Sequence, residues 1–212
     1  MSALLPRELS EYLETVVPQR PAEMLRMEEY AREHDFPIIG PAAGQLCYVV
    51  ARMIGARSVF ELGSGYGYST AWFARAVREN GGGVVHHVVW DHGLSQMARA
   101  HLETLGYADI VRYQVSEALQ ALANSSGPFD LIFNDIDKHA YPESLAVIES
   151  QLRPGGVLII DNMLWGGAVW DRGDESADTH GVREFTRRIS ESERWAVTLV
   201  PIRDGLIVAC RL

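Results

Sequence analysis

The sequence predicts a doubly wound, mostly parallel α/β sheet, finished by a C-terminal antiparallel hairpin and covered by an N-terminal helical cap. Three observations carry that prediction. From Arg57 onward, short aliphatic runs alternate with amphipathic stretches. A glycine-rich turn follows the first of those runs. The alternation stops near the end, where two apolar runs are separated only by a short turn around Asp204-Gly205. Apolar strands joined by helical crossovers bury both faces of a parallel sheet, whereas so short a turn leaves no room for a crossover.

The front of the chain, residues 1–56, has apolar residues at helical spacing in Pro6–Val16, Pro21–His34 and Pro41–Ile54. Proline opens the last two, where it suits the first helical turn. These helices form the predicted cap. The core, residues 57–212, places strands at Ser58–Leu62, Val84–Trp90, Ile110–Gln114, Asp130–Asp135 and Val157–Asp161. Helices over Ser69–Glu79, Leu94–Leu105, Glu117–Asn124 and Pro142–Leu152 connect them. Trp195–Pro201 and Leu206–Cys210 make the hairpin. The stretch Trp165–His180, rich in Asp, Gly and Trp, reads either as a mobile lid or as a solvated connection.

Composition bounds what this fold can serve. A chain of 212 residues makes one domain the default. With 28 acidic against 19 basic residues the net charge is -9, so a broad nucleic-acid surface would have to overcome repulsion from phosphate. No apolar run reaches the roughly 18 residues that a membrane helix needs. Only Cys47 and Cys210 are present, too few for a disulfide framework or a metal cluster. The expectation is a cytoplasmic protein with a small-molecule substrate, neither membrane-bound nor exported.

The first candidate site is the run Glu61-Leu62-Gly63-Ser64-Gly65-Tyr66-Gly67, a glycine turn between strand and helix, where an open α/β sheet takes ligand at its carboxyl edge. Its spacing is G-x-G-x-G, and Tyr68 stands where a dinucleotide fingerprint wants its last small residue, which weakens a nicotinamide reading. Glu61, two residues ahead of the first glycine, could hold an ammonium group such as that of S-adenosylmethionine. A tight turn with no ligand is the alternative.

The second candidate site lies at two later strand ends. Asp135 ends the fourth strand, and Asp161 and Asn162 end the fifth, so three oxygen donors reach the same edge. Carboxylate and amide oxygens suit hard cations, Mg2+ first, with Ca2+ and Mn2+ open. Asp and Asn also cap helices and shape turns, which is the competing explanation for each of them. Lys138, three residues beyond Asp135, is a solvated surface lysine when taken alone; beside an open metal position it becomes a candidate general base.

With Phe60-Glu61-Leu62-Gly63, Gly67-Tyr68-Ser69, Asp135-Ile136-Asp137-Lys138, Pro154-Gly155-Gly156, Asp161-Asn162-Met163-Leu164-Trp165 and Asp204-Gly205-Leu206 in that order, the chain resembles the metal-dependent O-methyltransferases of the caffeoyl-CoA and catechol O-methyltransferase type from Gly40 to the C-terminus. The resemblance implies a Rossmann-like methyltransferase fold and a homodimer. It also implies that Glu61, Gly63, Gly67 and Ser69 cradle the methionine part of S-adenosylmethionine, with Asp135 bordering the cofactor. Asp135, Asp161 and Asn162 would be the metal ligands, and Lys138 would stand near the acceptor hydroxyl.

One departure concerns the adenosine end. The family's ribose-binding acid falls on Val89, which cannot accept a hydrogen bond through its side chain. Asp91, two residues on and on the same strand face, is the substitute candidate. Trp90 is a candidate for stacking on adenine, with core filling as the alternative. Ser116-Glu117-Ala118 replaces the family's Gly-Asp-Ala and keeps an acid, Glu117, beside Ala118 at the adenine edge. The activity implied is metal-assisted O-methyl transfer to a small catechol-like or phenolic acceptor. The competing classes are a nucleotide-dependent oxidoreductase and a non-catalytic or weakly catalytic dimeric binding module on the same fold.

Overall fold

The computed structural model describes residues 4–212. Three helices lead: α1 (Arg7–Val16), α2 (Ala22–Glu33) and α3 (Gly40–Met53), the last with Pro41 in its first turn. Strands and helices then alternate as β1 (Ser58–Leu62), α4 (Tyr68–Glu79), β2 (Val84–Val89), α5 (His92–Thr104), β3 (Val111–Val115), α6 (Ala118–Ala123), β4 (Phe129–Asn134), α7 (Tyr141–Gln151) and β5 (Leu152–Ile160). The chain finishes with α8 (Ala177–Ser190) and the hairpin β6 (Trp195–Val200) and β7 (Leu206–Arg211).

The seven strands form one sheet in the order β3-β2-β1-β4-β5-β7-β6. β1 to β5 pair in parallel, while β7 enters antiparallel between β5 and β6. The alternating side chains of the central strands feed two cores. Val59, Leu131, Phe133, Val157 and Ile159 face α3, α4 and α5 through Cys47, Trp72, Phe73, Ala98 and Leu102. Phe60, Ile132, Leu158 and Ile160 face α6, α7 and α8 through Leu122, Ile148, Val182 and Phe185. Each fully buried Leu, Val or Phe contributes about 2 kcal/mol, so a polar side chain among them needs a reason to be there.

The strand order reverses between β1 and β4. At such a switch point the connections leave to opposite faces and a crevice opens beyond the carboxyl ends. The glycine turn after β1, Asp135 after β4 and Asp161 after β5 all fall there.

Two elements differ from the sequence expectation. β5 begins at Leu152 rather than Val157, because Leu152 already pairs with Phe129 before a register shift near Leu131. α8 replaces the end of the expected loop. Its Val182, Phe185 and Ile189 are fully buried at helical spacing, and Ser176 caps it by accepting from the Thr179 N–H. Upstream, Trp165–Trp170 forms a 3-10 segment. Arg183 of α8 ties that stretch down, donating to the carbonyls of Ala168 at 2.8 Å, Val169 at 3.0 Å and Asp174 at 2.9 Å, and also to that of Asp171.

Candidate active site

The glycine turn owes its shape to close approach. A Cβ on Gly63, whose φ is +85°, would lie 2.3 Å from the Asp135 carbonyl oxygen, so only glycine lets the end of β1 lie against the end of β4. Ser64 stitches the turn to β2: its N–H donates to the Val88 carbonyl at 2.9 Å, and its Oγ accepts from the Val88 N–H at 2.9 Å. Gly67 then opens α4 in a left-handed conformation at φ +93°. Over this turn lies the segment Phe36–Ile39, leaving a narrow cleft of about 30 Å³ that Gly63, Tyr68, Ser69 and Asp135 also line.

Beneath the turn sits Glu61, fully buried. Neither of its oxygens has a hydrogen-bond partner among the described residues. Burial pushes its pKa up to about 7, and the nearby hydroxyls of Ser69 and Thr70 offset only part of that shift. His87, its register neighbour on β2, is no counter-charge. Burial and the charge of Arg99 push that imidazole down to about 3, and its Nδ1 lies 3.1 Å from Thr70 Oγ1. No cationic side chain among the described residues pairs with Glu61, so burial favours its neutral form, and a counter-charge for the ionised form would have to come with a ligand.

The second group gathers where the sequence placed it. Asp161 is buried after β5; its Oδ2 accepts from Arg203 Nη1 at 2.9 Å, while its Oδ1 has no partner among the described residues. Burial and the Asp135 carboxylate push its pKa up to about 6, and Arg203 offsets part of that. Asp135 accepts from Lys138 Nζ at 2.7 Å. That ammonium also donates to the Ile136 carbonyl at 3.1 Å and lies over the rings of Tyr141 and Trp165. Asn162, in a left-handed conformation at φ +60°, donates its amide N–H to Asp204 Oδ2 at 3.0 Å. Among the described residues no three His, Cys, Asp or Glu side chains are grouped to hold a metal ion. The candidate set is two carboxylates and one amide oxygen.

The adenosine-side candidates lie at the same sheet edge, after β2 and β3. Val89 is buried. Trp90 is 80% exposed, which overturns core filling as its role. Asp91 caps α5, its Oδ1 accepting from the Leu94 N–H at 2.7 Å. Glu117 caps α6, accepting from Leu119 N–H at 2.9 Å and Gln120 N–H at 2.6 Å, and Ala118 is the first residue of that helix.

Three contributors were given no site role by the sequence reading, although Asp204 stood in one of its signatures. Phe36–Ile39 shapes the cleft; only its position ahead of a proline-opened helix hinted at it. Asp204 accepts from Asn162 and from the Gly166 N–H at 2.7 Å, so the hairpin turn positions a candidate ligand. Arg203, with φ +55°, aims its guanidinium at Asp161 and lines a larger cavity of about 640 Å³ between the N-terminal helices and that turn. Phe36 and Ile38 are walls of both spaces, and no residue of the 165–180 stretch lines either.

A fold with this strand order, a glycine turn over a buried acid and carboxylates at the neighbouring strand ends defines a Rossmann-like methyltransferase architecture. Residues 15–212 match the family model described as O-methyltransferase. A Mycobacterium sp. (strain JLS) protein assigned as an O-methyltransferase is 33% identical over 177 residues, 82% of this chain and 79% of that one. The O-methyltransferase from Bacillus cereus in complex with SAH superposes with a TM-score of 0.87 at 26% identity, covering 97% of each chain. The O-methyltransferase TomG from Streptomyces achromogenes, involved in Tomaymycin synthesis and in complex with SAM, gives 0.86 at 27% identity over 96% of each. The chain belongs to the O-methyltransferase family.

Proposed function

We propose that the chain, acting as one domain over residues 1–212, transfers the methyl group of S-adenosylmethionine to a hydroxyl of a small catechol-like or phenolic acceptor with the help of a divalent cation, Mg2+ before Ca2+ or Mn2+. The observation that carries this reading is Glu61: a buried acid without a partner, under a glycine turn, at the switch point of the sheet. An amino-acid ammonium supplies the charge it lacks, and the relatives with SAM or SAH bound support the same cofactor. Gly63 and Ser69, which line the cleft, and Gly67, which opens α4, would take the methionine part. Trp90, Asp91, Glu117 and Ala118 flank the adenosine end, with Asp91 offering its second carboxylate oxygen to the ribose.

The residues present fit a divalent ion. Asp161 Oδ1 is buried and unpartnered, and Asp135 is close enough to raise its neighbour's pKa. The Asn162 amide nitrogen is committed to Asp204, which leaves the amide oxygen as the donor for a ligand. These are hard oxygen donors. When bound, the ion would favour the ionised acceptor hydroxyl and fix the acceptor by two oxygens. Lys138 is held between Asp135 and the rings of Tyr141 and Trp165; it takes the hydroxyl proton at Nζ as the neutral amine, once its own ammonium proton has passed to solvent. Glu61 and the glycine turn hold the sulfonium side so that the two reacting atoms meet in line. Two free thiols, Cys47 and Cys210, suit a cytoplasmic setting.

Calorimetric titration with S-adenosylmethionine and with NAD, each with and without Mg2+, tests the reading. Micromolar binding of the former, worth about 8 kcal/mol, with no NAD binding is expected. Binding of NAD alone would sink it.

A further inference from the structure

Asp161 is the most buried oxygen ligand of the candidate cation site, and one of its two oxygens is already taken by a cation the chain carries itself. Arg203 Nη1 stands 2.9 Å from Asp161 Oδ2. The carboxylate side chain is 1% exposed, so solvent screens this pair weakly on that side. A guanidinium stays charged at any physiological pH. The backbone that aims it is unusual: Arg203 adopts φ +55°, in the left-handed region, which costs a non-glycine residue about 1 kcal/mol. A glycine or asparagine would hold the turn more easily, yet neither could reach Asp161 with a positive charge.

We infer that Arg203 is a resident counter-cation that competes with the divalent ion for Asp161 and so sets how tightly this chain holds metal. The inference rests on the metal reading above. A divalent ion that takes Asp161 must either displace the guanidinium from Oδ2 or bind Oδ1 with a unit positive charge left on the same carboxylate. Both weaken its binding. The displaced side chain has somewhere to go: Arg203 is one-third exposed and borders the 640 Å³ cavity. Lys138 holds Asp135 in the same manner, so each carboxylate of the site is paired with a cation of the chain itself. Arg203 is therefore a specificity-determining residue, acting through Asp161 on the choice between metal-loaded and metal-free protein.

The test is Mn2+ binding to the chelator-stripped full chain, read by the loss of the free-ion electron paramagnetic resonance signal. The proteins are wild type, Arg203→Gly, Arg203→Asn, Arg203→Lys and Asp161→Asn. Glycine and asparagine both suit the left-handed backbone, so either variant keeps the turn. Expected is a gain in Mn2+ affinity of about tenfold or more in Arg203→Gly and Arg203→Asn, corresponding to about 1.4 kcal/mol. Arg203→Lys, which keeps the charge, stays near wild type, and Asp161→Asn loses binding. Equal affinity in wild type and Arg203→Gly, with binding still lost in Asp161→Asn, overturns the competition while leaving the metal site standing. Tight binding in Arg203→Lys overturns the assignment to charge. Absence of Mn2+ binding in every protein overturns the metal reading and this inference together.

Discussion

Glu61 carries a consequence for stability that can be signed. Its folded pKa is about 7 against an ordinary value of 4.5, because burial disfavours the carboxylate. Between those two values the folded chain binds more proton than the unfolded one, so the ligand-free protein loses stability as pH rises through that window and levels off above it. Glu61→Gln removes the ionisable group. The variant should be more stable than wild type at pH 8 by up to about 3 kcal/mol, similar to it at pH 4.5, and weaker for S-adenosylmethionine by tenfold or more. Urea unfolding at the two pH values, with a cofactor titration alongside, checks all three; a stability difference between wild type and Glu61→Gln that is the same at both pH values would show that Glu61 is not held neutral. The position of this acid was legible in the sequence because it ends an apolar strand just ahead of a glycine turn. Asp135, Asp161 and Asn162 were legible as polar residues that follow the fourth and fifth apolar runs and so reach the same sheet edge. Arg203 was not: in a hairpin turn its neighbours Asp204-Gly205 speak only for turn geometry, and its reach to a residue 42 positions earlier exists only once β5 and β7 pair. The caps were half legible. Asp91 and Glu117 were read as ligands for adenosine, and the same carboxylates turn out to close the N-termini of α5 and α6.

Among the elements, α8 shows how a local rule and a packed contact can point in opposite directions. Its interior Gly181 lowers helix propensity by about 1 kcal/mol relative to alanine, one reason the segment reads poorly as a helix. Its charged residues, Asp178, Arg183, Glu184, Arg187 and Arg188, further dilute the apolar stripe of Val182, Phe185 and Ile189. The glycine is there because α8 crosses the turn that carries Lys138: a Cβ at Gly181 would fall 2.2 Å from the Lys138 carbonyl oxygen and 2.8 Å from the His139 Cα. Backbone on both sides leaves nothing flexible to yield. Gly181→Ala should therefore destabilise the protein by about 1–3 kcal/mol despite the better propensity, and should lower turnover by displacing Lys138. Thermal unfolding decides the sign, and an alanine variant of equal or higher Tm would mean that the helix and the Lys138 turn are not in contact. The strands themselves were the most legible elements, since continuous runs such as Leu131–Phe133 and Val157–Ile160 can be satisfied only between two covering layers.

The assembled protein leaves one helix without a purpose of its own. α1 buries none of its residues, yet Leu9, Tyr12 and Val16 line up on one face at 42%, 66% and 63% exposure. Residues three and four apart share a helical face, so these form one apolar stripe rather than scattered exposures. A ten-residue helix of this kind is too short to be stable in water by itself, and its packing against the rest of the chain contributes little to hold it. We propose that the stripe is covered by the same stripe of a second copy, since a two-fold axis lets one surface serve both partners. The wild type should then sediment as a dimer of 23.6 kDa chains. Replacing Leu9, Tyr12 and Val16 together by lysine places six positive charges across such an axis and should give a monomer at the same concentration, with cofactor affinity changed by less than about threefold if the glycine turn and Glu61 lie away from the contact. A wild type that sediments as a monomer at tens of micromolar, or a triple-lysine variant that remains dimeric, would place the interface elsewhere. Loss of cofactor binding on dissociation would instead show that the second copy helps to hold Phe36–Ile39 over the turn, joining assembly to the site through the two cavities that this segment divides.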